Sequence, residues 1–211
     1  MQIYEKNHSL ALVFAADFLL LSLWTLARKL LMILTGSESA LSDQAASILY
    51  AVFFALVPLV LHALSLRAAN ESAKTAFYAG AVSRLFALAA FCISLSSAQG
   101  VRLLPLIIVL SLGAAILEVA FFVLSAYSLR EMRTERAVFL CASLVCLLEQ
   151  AAYLIALYLS MKLASGAFTM RLMRTMSLAS TAQFFLAIVK GCICAMAFGL
   201  VYLGSKKDAT L

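Results

Sequence analysis

The sequence predicts an all-α integral membrane bundle of about six transmembrane helices, with both termini in the cytoplasm. Of its 211 residues, 65% are hydrophobic and 12% are charged, whereas soluble domains are about half apolar and a quarter charged. Apolar runs of about 18 residues or more recur, each long enough to cross a hydrocarbon core of roughly 30 Å. They lack the alternation of a transmembrane barrel, so the backbone must satisfy its hydrogen bonds within helices.

Short polar stretches separate the apolar runs and define one transmembrane domain, residues 1–211. None of these stretches is long enough to fold independently. The predicted spans are 10–34, 45–66, 75–97, 103–129, 137–162 and 178–203.

The first span is expected to be a retained helix rather than a cleaved signal peptide. Its apolar run, residues 10–27, contains Asp17 and exceeds the roughly 7–15 residues of a signal-peptide core. Glu5 and Lys6 precede it, and no small-x-small cleavage site follows soon afterwards.

Prolines mark the second and fourth spans. Pro58 has no N–H, which frees the carbonyl of Phe54 and predicts a kink in the second helix. His62 lies one turn later on the same face, where it either titrates near neutral pH or serves in packing. Pro105 stands where the fourth helix begins, a favoured position for proline.

Ionisable residues inside the spans are the most informative feature of the chain. Each costs about 3 kcal/mol at a helix centre, and such groups usually face a bundle interior where they find partners. Lys190 lies near the middle of the last apolar run, residues 184–202. Because the spans hold three acids and two bases, we expect a carboxylate to hold Lys190. The five residues are Asp17, Arg84, Glu118, Glu149 and Lys190.

Polar residues also repeat at helical spacing, which places them on one face of each helix. We expect these stripes to meet in one polar seam. The stripes are Asp17, Trp24 and Arg28 in the first span; Ser111, Glu118 and Ser125 in the fourth; Cys146, Glu149, Tyr153 and Ser160, flanked by Gln150, in the fifth; and Gln183, Lys190 and Ala197 in the sixth.

Glu118 and Glu149 lie near the middle of consecutive spans. Two carboxylates close together in a low dielectric do not both ionise easily, so one should hold a proton unless a cation such as Lys190 or Arg84 lies between them. This is the chemistry of proton or cation coupling. It is equally the chemistry of a buried charge pair that joins helices and does nothing else.

The leading functional hypothesis is transport of a small solute or ion, or solute binding as the membrane component of a transporter. In this hypothesis Glu118 and Glu149 bind a proton or cation, while Arg84 and Lys190 act as counter-ions or ligands for an anionic group. Asp17 belongs to the same set of buried charges, and Gln150, Tyr153 and Gln183 supply directional hydrogen bonds. The alternative is a non-catalytic subunit or anchor of a larger complex, or a homo-oligomer, whose charges serve helix assembly.

Lysine and arginine outside the spans favour cytoplasmic termini. With the amino terminus inside, eight are cytoplasmic: Lys6, Arg67, Lys74, Arg130, Arg133, Arg136, Lys206 and Lys207. Six lie on the other side: Arg28, Lys29, Arg102, Lys162, Arg171 and Arg174. The net charge of +6 suits contact with anionic lipid headgroups and gives no reason to invoke nucleic acid. The expected location is the cell's inner membrane.

Enzyme signatures are missing from the sequence. The chain has two histidines, His8 and His62, which leaves a haem or a multi-histidine metal site without ligands. The HExxH, GxSxG and P-loop patterns do not occur, so we expect no catalysis, cofactor or metal. The alternative left open is a membrane enzyme that works through its carboxylates. Without a nucleotide-binding motif, primary pumping would need another subunit.

In helix number and small extramembrane mass the chain is similar to the substrate-binding components of energy-coupling transporters. Ala11 and Ala15 form a small-xxx-small pair that lets helices approach closely. The likeness concerns architecture and implies no residue roles.

Overall fold

The computed structural model describes residues 3–4, 9–35, 48, 52–95, 103–129, 132–164 and 169–208. In this part of the chain almost every residue is helical, and one β-bridge joins Tyr4 to Ala69. The helices are α1 (Ser9–Thr35), α2 (Val57–Ala68), α3 (Glu71–Leu95), α4 (Leu104–Ser128), α5 (Arg133–Ala164) and α6 (Met170–Asp208). Five are long and apolar enough to cross a membrane, and the sixth, α2, belongs to a shorter apolar helix. These helices support a multi-pass membrane protein.

The predicted spans and the helices differ most at α6. This helix begins at Met170, eight residues before the predicted start at 178, and continues beyond 203 to Asp208. The helix therefore contains the predicted span and is longer at both ends. Segment 170–177 contains polar and charged residues but no glycine or proline, so nothing in it ends a helix. At 1.5 Å per residue α6 is about 58 Å long, nearly twice the thickness of a hydrocarbon core.

The irregularity expected at Pro58 takes the form of a π turn. Residues Val52–Leu56 form this turn, and α2 continues directly from it with Pro58 in its first turn. Proline cannot donate to the carbonyl four residues earlier, and a wider turn is one way to accommodate that loss. Of the predicted second span, residues 45–47 and 49–51 lie outside the described residues.

The helices form a closed ring. α1 packs on α6, α6 on α5, α5 on α4, α4 on α3 and α3 on α2, and a smaller contact between α2 and α1 completes the ring. The α1–α6 contact is close at Gly191, where a Cβ would run into the Ser22 hydroxyl. Ser22 Oγ donates 3.0 Å to the Phe18 carbonyl and 3.4 Å to the Ile188 carbonyl of α6.

Aromatic rings fill the half of the bundle in which α1 begins and α6 ends. The aromatic layer, as we call it, consists of Phe14, His62, Phe77, Phe121 and Phe198, all at most 1% exposed. The rings of Phe14 and Phe198 are 4.7 Å apart, as are those of His62 and Phe121. This half of the bundle is a packed interior, and His62 is one of its packing residues.

The residue pair Ile3–Tyr4 covers the outer side of the aromatic layer. The Tyr4 ring lies 5.4 Å from that of Phe77, and its hydroxyl shares a 3.1 Å hydrogen bond with Ser65. Burial raises the pKa of Tyr4 well above its usual value, so this hydroxyl stays neutral. The Ile3 carbonyl accepts a hydrogen bond from the Asn70 N–H. The amino-terminal pair thus closes this end of the bundle.

Candidate functional site

Three buried charged residues and the half-buried Glu149, from four consecutive helices, meet near the middle of the bundle. Arg84 Nη2 of α3 donates 2.6 Å to Glu118 Oε1 of α4. Lys190 Nζ of α6 lies 3.5 Å from the same oxygen and 2.6 Å from Glu149 Oε2 of α5. The order Arg84, Glu118, Lys190, Glu149 therefore alternates in sign, and two cations balance two anions. We call these four residues the charged cluster.

Lys190 is held by two carboxylates rather than by one. It lies between Glu118 and Glu149, which removes the direct repulsion between these two acids. The two contacts are not alike. Glu118 Oε1 accepts a hydrogen bond from Lys190, whereas Glu149 Oε2 is close enough for an ion pair but has no hydrogen-bond partner among the described residues. Glu149 is also the most exposed of the four, with 12% of its side chain accessible. It is the least constrained member of the charged cluster.

Asp17 is a third buried acid beside the charged cluster. It is 6% exposed, and its Oδ2 has no hydrogen-bond partner in the described part of the chain. Its charge interacts with that of Arg84, but it makes no ion pair with the described residues and does not border the cavity described next. The predicted α1 stripe also contains Trp24 and Arg28. Trp24 is half-buried, and the side chain of Arg28 is not among those that the structure describes.

A cavity of about 350 Å³ lies between the helices, and three members of the charged cluster, Arg84, Glu118 and Glu149, border it. It extends toward the end of the bundle at which α3 ends and α4 begins, away from the aromatic layer. Its polar lining consists of Ser83, Arg84, Ser111, Glu118, Glu149, Gln150, Tyr153 and Gln183. The rest is apolar: Phe54, Ala55, Ala87, Ala90, Phe91, Ile107, Ala114 and Ala115. A concave site of this size, largely apolar with a few polar groups, is typical of small-molecule sites.

The predicted site residues divide into two groups in the structure. Six line the cavity: Arg84, Glu118, Glu149, Gln150, Tyr153 and Gln183. Lys190 lies behind the two glutamates and holds them, and Asp17 is set apart on α1. The predicted stripes of α4, α5 and α6 therefore meet at the cavity, whereas the α1 stripe does not reach it.

The neutral polar groups of the cavity wall are available for a ligand. The structure records no hydrogen bond from the side chains of Gln150, Tyr153 or Gln183 to another described residue. All three residues are half-buried and border the cavity, so their amides and phenol are placed to exchange hydrogen bonds with water or a solute there. Ser83 differs, because its hydroxyl donates 2.7 Å to the Ala114 carbonyl and joins α3 to α4.

Sequence reasoning missed the apolar part of the cavity. Phe54 matters most, because the guanidinium carbon of Arg84 lies 4.9 Å from the centre of its ring, a distance suited to a cation–π contact. Phe54 belongs to the π turn ahead of Pro58. This proline was therefore the one sequence feature that pointed to irregular backbone near Phe54. No sequence feature identifies Phe91, Ile107 or the cavity alanines, because an apolar residue that faces a cavity cannot be told from one that faces lipid by its residue type.

No group of three or more His, Cys, Asp and Glu side chains within the described ranges is placed to hold a metal ion. All five cysteines are free. Comparison of the chain with protein-family models, curated proteins and solved structures gave no match.

Proposed function

We propose that this protein binds a small solute or ion inside a membrane and carries it across, or delivers it to a transporting partner. The observation that supports this is the cavity bordered by members of the charged cluster. Charged groups inside a membrane are costly, and they are commonly found where a substrate or ion path runs. Here three of them, Arg84, Glu118 and Glu149, border a cavity of about 350 Å³.

In this proposal the chain crosses the inner membrane of the cell six times with both termini in the cytoplasm. The aromatic layer then lies toward the cytoplasm, and the cavity extends toward the outside. A site open to one side and closed to the other is one of the two states that alternating access requires. Lipids surround the bundle, and a partner subunit would supply energy if transport is ATP-driven.

The charges have different tasks in the proposal. Glu149 faces the cavity and is the group that meets a proton, cation or cationic part of a solute. Arg84 offers donors to an anionic part. Glu118 and Lys190 hold the other two in place, and Asp17 adds negative charge near Arg84. Gln150, Tyr153 and Gln183 orient the ligand through hydrogen bonds, and no covalent chemistry is needed.

A second candidate is a non-catalytic membrane subunit in which the charged cluster only joins helices. The specific observation in its favour is the pairing of Arg84 with Glu118 and of Lys190 with Glu149, at 2.6 Å each. Such a network balances its own charges, two cations against two anions, and needs no ligand to do so. It does not account for the cavity or for the unpartnered amides on its wall.

Filling the cavity separates the two candidates. Ala87 borders the cavity, whereas Ala89, on the same helix, is exposed on the outer face of the bundle. We expect Ala87→Phe to abolish uptake of small solutes into proteoliposomes, and Ala89→Phe, as its matched control, to leave uptake intact. A purified chain that shows no uptake or binding of any tested solute would favour the subunit, and uptake that is indifferent to Ala87→Phe would show that the cavity is not the route.

A further inference from the structure

We infer that the ligand of the cavity is a small zwitterion, a solute that carries both a carboxylate and an ammonium group next to an apolar side chain. This inference rests on the proposed function and narrows it to one substrate class. It follows from three features of the cavity: hydrogen-bond donors of Arg84 that are not in use, lone pairs of Glu149 that are not in use, and the apolar side chains that form the rest of the cavity wall.

Arg84 provides a place for a carboxylate. A guanidinium has five N–H donors in a fork that matches the two oxygens of a carboxylate. Of these, one is used in a described hydrogen bond, from Nη2 to Glu118, and Nε has no partner among the described residues. The Phe54 ring lies against the guanidinium and helps to fix its plane. Arg84 is therefore a fixed cation at the cavity with donors to spare.

Glu149 provides a place for an ammonium group. It borders the same cavity, and Lys190 is its single described ion-pair partner. A carboxylate has about four lone-pair sites, so a second cation can bind while Lys190 stays in place. The neighbouring oxygens of Gln150, Tyr153 and Gln183 can accept the other ammonium protons.

The balance of buried charge favours a ligand that brings a positive group as well as a negative one. Asp17, Glu118 and Glu149 face two cations, Arg84 and Lys190, all within the bundle. A purely anionic solute would add to an existing excess of acid. A purely cationic solute would leave the donors of Arg84 unpaired, and unpaired buried polar groups weaken binding.

The remaining wall suits the hydrocarbon part of such a solute. Phe54, Phe91 and Ile107 line it, together with alanines from α3 and α4. A volume of about 350 Å³ is far more than a bare ion needs and lies in the range of small organic ligands. The two charges of a zwitterion can sit beside Arg84 and Glu149 while its side chain points toward Phe91.

The test compares amino acids with their one-charge analogues. Binding to the full-length protein in lipid nanodiscs is measured by calorimetry for L-leucine and L-phenylalanine, for the amines 3-methylbutylamine and phenethylamine, and for the acids 4-methylpentanoate and 3-phenylpropionate. We expect at least one amino acid to bind, and both of its analogues to bind at least about tenfold more weakly, because each leaves one buried charge without its partner.

Two variants assign the contacts. Glu149→Gln should weaken the amino acid and the amine but not the acid. Arg84→Lys, which keeps the charge and loses the fork, should weaken the amino acid and the acid but not the amine. Glu135→Gln is the matched control, the same change on the same helix and 14 residues away from Glu149. It should leave all affinities unchanged, and thermal unfolding checks that each variant is folded.

The outcomes distinguish this inference from the proposed function. Preferred binding of an amine or of an acid would overturn the zwitterion and leave solute binding intact. Failure of all six probes, with uptake of other solutes into proteoliposomes that Ala87→Phe blocks, would do the same. Failure of all six probes without uptake of any solute would overturn both.

Discussion

At the scale of single residues, Lys190 illustrates why a charged side chain inside a membrane bundle pairs with groups of opposite charge. A lone ammonium is costly there, and Lys190 is 3% exposed. Its contact with Glu149, at 2.6 Å, is shorter than its contact with Glu118, at 3.5 Å. Glu118 already accepts a hydrogen bond from Arg84. In the described part of the chain, Glu149 is therefore the carboxylate whose ion pairing depends on Lys190 alone.

Charge exchange tests this pairing. Lys190→Glu should destabilise the protein by about 3 kcal/mol or more, because it leaves three acids beside one cation. Adding Glu149→Lys should recover much of the loss, since it restores the pair in reverse. Adding Glu118→Lys should not, because the new lysine would lie against Arg84. Equilibrium unfolding in mixed micelles measures these effects, and equal recovery by both double variants would contradict the assignment.

The aromatic layer makes a second prediction for single residues. The Phe198 ring contacts those of Phe14, Phe121 and Phe139 from three other helices. Phe198→Ala should cost about 3–5 kcal/mol, because it leaves a cavity in a packed interior. Phe185→Ala on the same helix is the control, since Phe185 is 60% exposed and should change the unfolding free energy by within about 0.5 kcal/mol. Similar effects of the two substitutions would mean that the layer is not packed as described.

At the scale of elements, the contact between α1 and α6 closes the ring. It depends on Gly191, because an added Cβ there would meet the Ser22 hydroxyl and lie 3.0 Å from the Phe18 carbonyl. The serine can rotate, but the carbonyl belongs to the α1 backbone and cannot. A side chain at this position must therefore push the two helices apart.

Alanine substitution of two glycines in α6 measures that contact. Gly191→Ala should destabilise the protein by about 1–3 kcal/mol through overpacking. Gly199→Ala should be neutral or stabilise by up to about 1 kcal/mol, because no atom of the described residues lies within 4 Å of its Cβ position and alanine favours a helix. Comparable unfolding midpoints for the two variants would contradict the close approach.

Sequence patterns were sufficient to predict which segments are helices, but not where each helix ends or which helices it contacts. Apolar length identified the five long helices, because the thickness of a bilayer dictates it. The extension of α6 to Met170 was missed, since polar residues are as compatible with a helix outside the membrane as with a loop. Helical spacing placed Glu118, Glu149 and Gln183 on interior faces. It could not show that Lys190 lies behind the two glutamates or that Asp17 does not border the cavity.

At the scale of the whole molecule, the bundle has a packed half and a half that contains a cavity. The aromatic layer fills the first, and the charged cluster separates it from the second. Which apolar residues face a cavity depends on the order of helices around the ring, and that order is absent from the periodicity of any one helix. For this reason the position of Phe54 and Phe91 in the cavity wall could not be predicted from the sequence and follows only from the folded structure.

The measurement that decides most directly whether this is a solute site is the reactivity of single cysteines toward a membrane-impermeant maleimide. Ser111 and Ser125 share one stripe of α4, but Ser111 lines the cavity and Ser125 is 2% exposed. With the five native cysteines replaced by alanine, Ser111→Cys should be labelled from one side of the membrane only, and Ser125→Cys should not be labelled. Labelling of neither would show that water does not enter the cavity, and equal labelling of both would show that the bundle is not closed. Either result would contradict a one-sided solute site above a sealed aromatic layer.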